Sequence, residues 1–283
     1  MNLSPNFINK LVLKEAVYPD SNITTYFIEQ KRIDEILAQE LLPSIEITDE
    51  EYLENKPKVA ILLTRDKHPS RENPDYTIPM SLVSSIKLSG GIPCFMIYER
   101  IEEQLEFIKP NGILLPGGDF ALPQQWLEQE AVHPKNLQRC EAYIACLRYA
   151  KQNKLPLLGI CAGMQMLCGF CGGKIKKVDN HRGIINHFAH SISIKKDSLL
   201  SSITNLTSAE VNSNHSEAIS NDNIGDCVIS AVSSDNVIEA IEVKNPWHHF
   251  VLGIQSHPEY FVKEKDVFSV RIFNSFIEAC NHE

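Results

Sequence analysis

Four short runs, KVAILLT (58–64), IPCFMIY (92–98), NGILLPGG (111–118) and LPLLGI (155–160), are apolar almost from end to end. A strand with one wet face alternates apolar and polar residues; a strand apolar throughout must be covered on both faces. Segments with helical spacing separate these runs. TIPMSLVSSIKLSGG (77–91) reads as a helix with Pro79 in its first turn and Gly90 or Gly91 at its end, and IEEQLEFIKP (101–110) as a short helix stopped by Pro110. From Asn136 to Lys154, Leu137, Cys140, Ile144, Leu147 and Ala150 or Lys151 fall on successive turns. Strands alternating with helices in this way predict an α/β chain whose central, mostly parallel sheet lies between two helical layers.

Beyond Gly173 the texture changes. FAHSISI (188–194) alternates like a half-exposed strand, and CVISAVS (227–233), VIEAIEV (237–243) and HFVLGIQ (249–255) follow as further strands, before an amphipathic helix from about Glu264 to Cys280. Residues 1–56 are polar and irregular apart from one amphipathic helix, marked by Ile33, Ile36, Leu37 and Leu41 ahead of Pro43. The acidic stretch ITDEEYLENKP (47–57) reads as a boundary. The expected organisation is an N-terminal extension over 1–56, packed on or tethered to a catalytic domain over 57–283.

With 283 residues the chain is long enough to bury a full core. A net charge of −9, with no run of Lys or Arg longer than two, argues against a nucleic-acid partner, because phosphate binding needs a basic face. No segment approaches the roughly 20 apolar residues that span a bilayer, and the N-terminus lacks the pattern of a signal peptide. Eight scattered cysteines read as reduced thiols, so the expected setting is cytoplasmic. Cys168 and Cys171 have CxxC spacing, but no second CxxC or His-x3-His follows to complete a zinc site.

Chemistry concentrates where LPLLGI meets CAGMQ. Cys161 stands between a buried strand and a short helix beginning at Gly163, with Gly159 two residues before it and Gly163 two after. A packing cysteine needs neither glycine. A strained strand-to-helix turn that lifts a nucleophile out of the sheet edge needs both, because the two arms approach closely. The helix N-terminus favours a thiolate there, and the N–H of Ala162 is placed to face an oxyanion. A second apolar strand, VLGIQ, ends in SHPEY; Pro258 fixes the turn so that His257 and Glu259 project to one side. Cysteine, histidine and glutamate supply nucleophile, base and orienting group for acyl transfer through a thiol. After a third strand, PGGD exposes backbone N–H groups, and Gly118 can supply a second oxyanion donor.

PGG, then G-x-C-x-G-x-Q, then H-P-E, in this order, resembles the class I glutamine amidotransferase-like superfamily over roughly residues 57–280. The resemblance implies a flavodoxin-like three-layer sandwich, a Cys161–His257–Glu259 triad, an oxyanion hole from the backbones of Gly118 and Ala162, and substrate contacts near Gly117 and Gln165. VNSNHSEAI (211–219) is similar to the V-N-S-x-H-x-x-A segment of the γ-glutamyl hydrolase branch, with His215 facing the site, and the pattern around His187 and His190 is similar to that branch too. Two positions depart from it: Ala162 stands where many γ-glutamyl peptidases carry Arg, and Ser216-Glu217 replaces His-Gln. The implied activity is hydrolysis of a small γ-glutamyl amide through a thioester. It requires no metal, no organic cofactor, no nucleic acid and no membrane; a homodimer is compatible with it. The alternatives are a glutaminase subunit that supplies ammonia to a separate synthetase, and a non-catalytic binding protein on the same scaffold.

Overall fold

In chain order the elements begin with strands β1 (Ile8–Val12), β2 (Lys14–Tyr18) and β3 (Ile23–Ile28), helix α1 (Gln30–Leu37) and strand β4 (Leu42–Glu46). There follow β5 (Lys58–Leu62), β6 (Thr64–Asp66), β7 (Asp75–Pro79), α2 (Met80–Leu88), β8 (Ile92–Met96), α3 (Ile101–Ile108) and β9 (Gly112–Leu115). The second half comprises α4 (Leu137–Gln152), β10 (Leu157–Ile160), α5 (Ala162–Phe170), β11 (Ile175–Lys177), β12 (His190–Ile194), α6 (Leu199–Thr204), β13 (Ser208–Val211), β14 (Glu217–Ile219), β15 (Cys227–Ser233), β16 (Ile238–Val243), β17 (Val251–Ile254) and α7 (Val267–Asn281). This computed structural model describes residues 8–12, 14–18, 23–39, 42–46, 56–66, 75–118, 122–128 and 137–281. Leu41, Asn136 and all but the last two residues of the acidic stretch 47–57 lie outside the described residues.

Eleven strands form one sheet in the order β1-β4-β8-β5-β9-β10-β17-β16-β15-β12-β13. Its middle, β8-β5-β9-β10-β17, is parallel throughout. β5, β9, β10 and β17 are buried at every residue but Lys58, which is why their sequences do not alternate. Beyond β17 the pairing turns antiparallel through β16, β15, β12 and β13. There one face opens to solvent, and β12 buries Ile192 and Ile194 while exposing Ser191 and Ser193.

Helices fall into two groups. α3 packs against α4 and α4 against α5; α2 and α6 pack against α7. The sheet lies between, giving the α/β three-layer arrangement. Pro79 differs from its expected place: it closes β7, paired to Thr25 of β3, and caps α2 from outside. A proline is tolerated at such a strand end, and its fixed φ leads directly into a helix. The N-terminal strands are built into the sheets: β4 meets β8, while β2 and β3 join β7 and β6 in a four-stranded sheet. Ile33 and Ile36 of α1 are buried in the same hydrophobic core as the central strands.

Candidate active site

Parallel strands point their carboxyl ends the same way, so residues following neighbouring strands gather at one edge. β9, β10 and β17 are consecutive in the sheet, with Gly159 opposite both Leu115 and Gly253. The three segments singled out in the sequence, 116–118, 161–165 and 255–259, therefore emerge side by side.

Cys161 sits on the turn between β10 and α5 with φ +51° and ψ −107°, a backbone conformation costly to a side-chain-bearing residue. The close approach of the two arms is real. A Cβ on Gly159 would lie 2.7 Å from the Gly163 carbonyl group, and one on Gly163 would collide with the Leu115 carbonyl oxygen of β9. The Gln165 N–H, bonding back to the Cys161 carbonyl at 3.1 Å, starts the helical ladder. The N–H of Ala162 precedes that first bond and has no helical partner.

His257, buried, lies beside Cys161 on one side, the two side chains sharing the face of Gly117. On the other its Nδ1–H donates to Glu259 Oε1 at 2.9 Å. Burial opposes charge on the imidazole, but the Glu259 carboxylate and the Cys161 sulfur outweigh it, and the pKa of His257 stands well above 6.5. The arrangement can hold an imidazolium between the Glu259 carboxylate and the Cys161 sulfur.

Gly117 faces this pair so closely that a Cβ there would lie 2.6 Å from His257 Cε1 and 3.1 Å from Cys161 Cβ. Gly118 has φ +132°, a region open to glycine and almost closed to other residues. Behind both stands α4. Tyr143 donates to the Pro116 carbonyl, and buried Arg139 donates through Nη2 to the Gly117 carbonyl at 2.7 Å and to the Tyr143 hydroxyl at 2.8 Å. In a planar trans peptide the N–H points opposite to the C=O. A Gly117 carbonyl drawn back to Arg139 thus turns the Gly118 N–H away from Arg139. Sequence reasoning missed Arg139 and Tyr143, because their only signal is helical spacing on a strand-covering face.

It also missed two other positioning groups. Asn212 clamps His257 at both ends of its backbone, accepting from His257 N at 2.8 Å through Oδ1 and donating to His257 O at 3.2 Å through Nδ2. Gln255 directs Nε2 at Cys161 Sγ, 3.6 Å away. Gln165 is buried, donating to the Glu217 carbonyl at 2.8 Å and to Gln255 Oε1 at 3.3 Å. His215 turns its ring elsewhere: Nδ1–H donates to the Glu217 carbonyl at 2.9 Å, while Nε2 lies 3.9 Å from Glu239 Oε1 and the ring packs on His181. Burial pushes its pKa down to about 3.

The fold and this turn define an α/β domain of the class I glutamine amidotransferase-like kind. Within that class the match is narrower: residues 58–259 fit the Peptidase C26 family, and the chain belongs to it. A glutamine amidotransferase-like protein of Rickettsia prowazekii is 28% identical over 269 residues, covering 76% of this chain and 93% of its own. The γ-glutamyl-γ-aminobutyrate hydrolase of Escherichia coli K12 is 25% identical, covering 82% of this chain and 96% of its own. The glutaminase domain of Trypanosoma brucei CTP synthase, solved with acivicin, superposes with a TM-score of 0.57 at 17% identity, over 79% of this chain and 93% of that one. Family membership makes the protein an enzyme of the cysteine-peptidase, hydrolase type. No helix among the described residues is long and apolar enough to cross a membrane.

Proposed function

We propose that this protein hydrolyses the γ-glutamyl amide bond of a small γ-glutamyl compound, with Cys161 as nucleophile. The observation that carries this reading is the buried relay in which His257 joins Cys161 to Glu259 at the carboxyl ends of three adjacent parallel strands. The Cys161 thiolate attacks the γ-carbonyl carbon, and the negative charge developing on oxygen meets the N–H groups of Gly118 and Ala162. The tetrahedral intermediate collapses as the C–N bond breaks and the His257 imidazolium gives its proton to the leaving amine, leaving a thioester. The neutral imidazole then takes a proton from water, the hydroxide adds to the thioester carbonyl, and C–S cleavage frees glutamate and restores the thiolate–imidazolium pair. Glu259 keeps the imidazole in the tautomer that presents Nε2 to the reaction and takes no proton itself. Ala162, small where related peptidases carry a long arginine, leaves room for the amine.

The γ-glutamyl-γ-aminobutyrate hydrolases among the relatives, and the V-N-S-x-H segment whose Asn212 clamps His257, favour a stand-alone hydrolase over an ammonia donor. A donor subunit is usually slow until its partner aligns the oxyanion donors, and such donors contribute about 100- to 1,000-fold each. Here Arg139 and Tyr143 already orient the Gly117–Gly118 peptide from within the chain. The test is glutamate release from a panel of γ-glutamyl amines, γ-glutamyl peptides and free glutamine, with Cys161→Ala as control. Release from at least one γ-glutamyl amine or peptide should outpace release from glutamine. Activity confined to glutamine and rising only when another protein is added would assign the chain to ammonia supply.

A further inference from the structure

Four side chains behind the His257 clamp meet at one point. They are His181, in the loop after β11; His190, the first residue of β12; His215, between β13 and β14; and Glu239 on β16. His181, His215 and Glu239 are buried, and each turns a ligand atom inward so that the three atoms lie within 4.8 Å of one another. From Glu239 Oε1, His190 Nε2 is 3.2 Å away, His181 Nδ1 3.6 Å and His215 Nε2 3.9 Å. The hydrolytic reading uses none of these atoms.

Hydrogen bonds do not account for all of them. His215 Nδ1 faces a carbonyl oxygen, which only accepts, so that nitrogen carries the proton and Nε2 presents a lone pair. Among the described residues Nε2 has no hydrogen-bond partner, nor has Glu239 Oε2, and both atoms are buried. Glu239 Oε1, hydrogen-bonded to His190 Nε2 at 3.2 Å, lies 3.9 Å from His215 Nε2, while that nitrogen and Oε2 of the same carboxylate are left buried without a donor, a costly state that a cation relieves. His181 is oriented the same way. Its Nε2 is hydrogen-bonded to Asp235 Oδ2 at 3.0 Å, and Ser213 Oγ bridges its carbonyl at 2.8 Å and its Nδ1 at 3.2 Å. Nδ1 also faces Glu239 Oε1 at 3.6 Å, where an ion would take its lone pair in exchange for the serine contact. In both rings the outer nitrogen is held by an oxygen, which is how proteins orient metal-binding histidines, and in His215 the inner nitrogen is bare.

We propose that His181 Nδ1, His215 Nε2 and the Glu239 carboxylate, with His190 Nε2 at the rim, bind a divalent first-row metal ion of the zinc type. The size fits. Tetrahedral ligation at zinc–nitrogen and zinc–oxygen distances near 2.0–2.1 Å places ligand atoms about 3.3 Å apart, so the 3.6 and 3.9 Å gaps to Glu239 close by a few tenths of an ångström, and the set as a whole, within 4.8 Å, draws in by rotation of the imidazoles. Nitrogen and carboxylate donors without sulfur suit zinc, cobalt(II) and their neighbours. His190, with 20% of its side chain exposed, marks the access route from solvent. The position also matters. The Gln255 N–H bonds the Glu239 carbonyl at 2.8 Å, and Asn212, three residues before His215, clamps His257. A cation here ties the loops that hold His257 to the sheet.

The full-length protein, stripped with a chelator, is titrated with Zn2+ by calorimetry and with Co2+ by visible absorption, and its melting temperature is followed with and without Zn2+. One equivalent should bind, raise the melting temperature and give a Co2+ spectrum free of thiolate charge-transfer bands. Asp235→Asn, at a side chain 57% exposed and outside the inner set, should fold normally and bind about 10- to 100-fold more weakly. Glu239→Gln and His215→Ala should lose the equivalent, whereas Cys161→Ala and the double variant Cys168→Ser/Cys171→Ser should retain it. Absence of a stoichiometric equivalent in the unaltered protein overturns the proposal. So does binding that survives Asp235→Asn at full strength and disappears with the cysteines.

Discussion

A strained backbone at one cysteine and a carboxylate behind one histidine decide what this site can do. Cys161 is held at φ +51° so that its sulfur meets His257, and it should alkylate with iodoacetamide near neutral pH ahead of the other seven cysteines. Brief labelling followed by peptide mass spectrometry checks this; first labelling at Cys168 or Cys171 would remove Cys161 as nucleophile. His257→Ala should lower kcat by orders of magnitude with the fold intact. Glu259→Gln tests the charge balance. Burial lowers the pKa of His257, and Glu259 is the largest influence raising it. Without that charge the imidazolium loses its proton at lower pH. Because the leaving amine needs that proton, the alkaline limb of the kcat/KM profile should move toward lower pH in Glu259→Gln. Arg139→Met frees the Gly117 carbonyl and with it the direction of the Gly118 N–H. It should lower kcat by about 10-fold or more, as loss of oxyanion alignment does, with KM little changed; a change confined to melting temperature would make Arg139 purely structural.

At the scale of elements, the site depends on how closely α5 lies on β9 and β10. Gly163→Ala drives a methyl group into the Leu115 carbonyl oxygen, so it should destabilise the protein by about 1–3 kcal/mol or more, measurable by denaturant unfolding. That closeness is also why the turn is readable in the sequence. Strands buried on both faces leave continuous apolar runs, and a tight strand-to-helix turn leaves glycines on both sides of Cys161. Where burial is one-sided or brief, the text thins out. β11, β13 and β14 have three or four residues each, too few for a period of two to declare itself. TIP (77–79) reads as the opening of a helix because Pro79 suits a first helical turn and a strand end equally well. Glu239 is hidden inside VIEAIEV, where Glu242 follows with the same charge, and only the fold shows that Glu239 points at three imidazoles. Asn212 lies in a stretch whose likeness to the hydrolase branch is legible, whereas its grip on the His257 backbone is a matter of geometry.

At the scale of the molecule, β1 to β4 are woven into both larger sheets, and β3 and α1 supply Ile28, Ile33 and Ile36 to the common core. Each such side chain contributes roughly 1.5–3 kcal/mol when buried, against a total stability of about 5–15 kcal/mol for an ordinary protein. A chain lacking residues 1–56 should therefore melt well below the full-length protein and lose solubility; equal melting temperatures for the two would show the segment to be dispensable. The sheet order has a further consequence, for synthesis. β10 takes one neighbour, β9, from earlier in the chain and the other, β17, from nearly a hundred residues later, a separation marked by the contact between Gln255 and Cys161. Until the ribosome has released β17, β10 is an open, wholly apolar edge of the kind that recruits other chains, and its cysteine has no imidazole beside it. An interrupted copy ending before residue 251 should thus be prone to aggregate, and Cys161 gains its imidazole neighbour only when the last parallel strand closes the sheet.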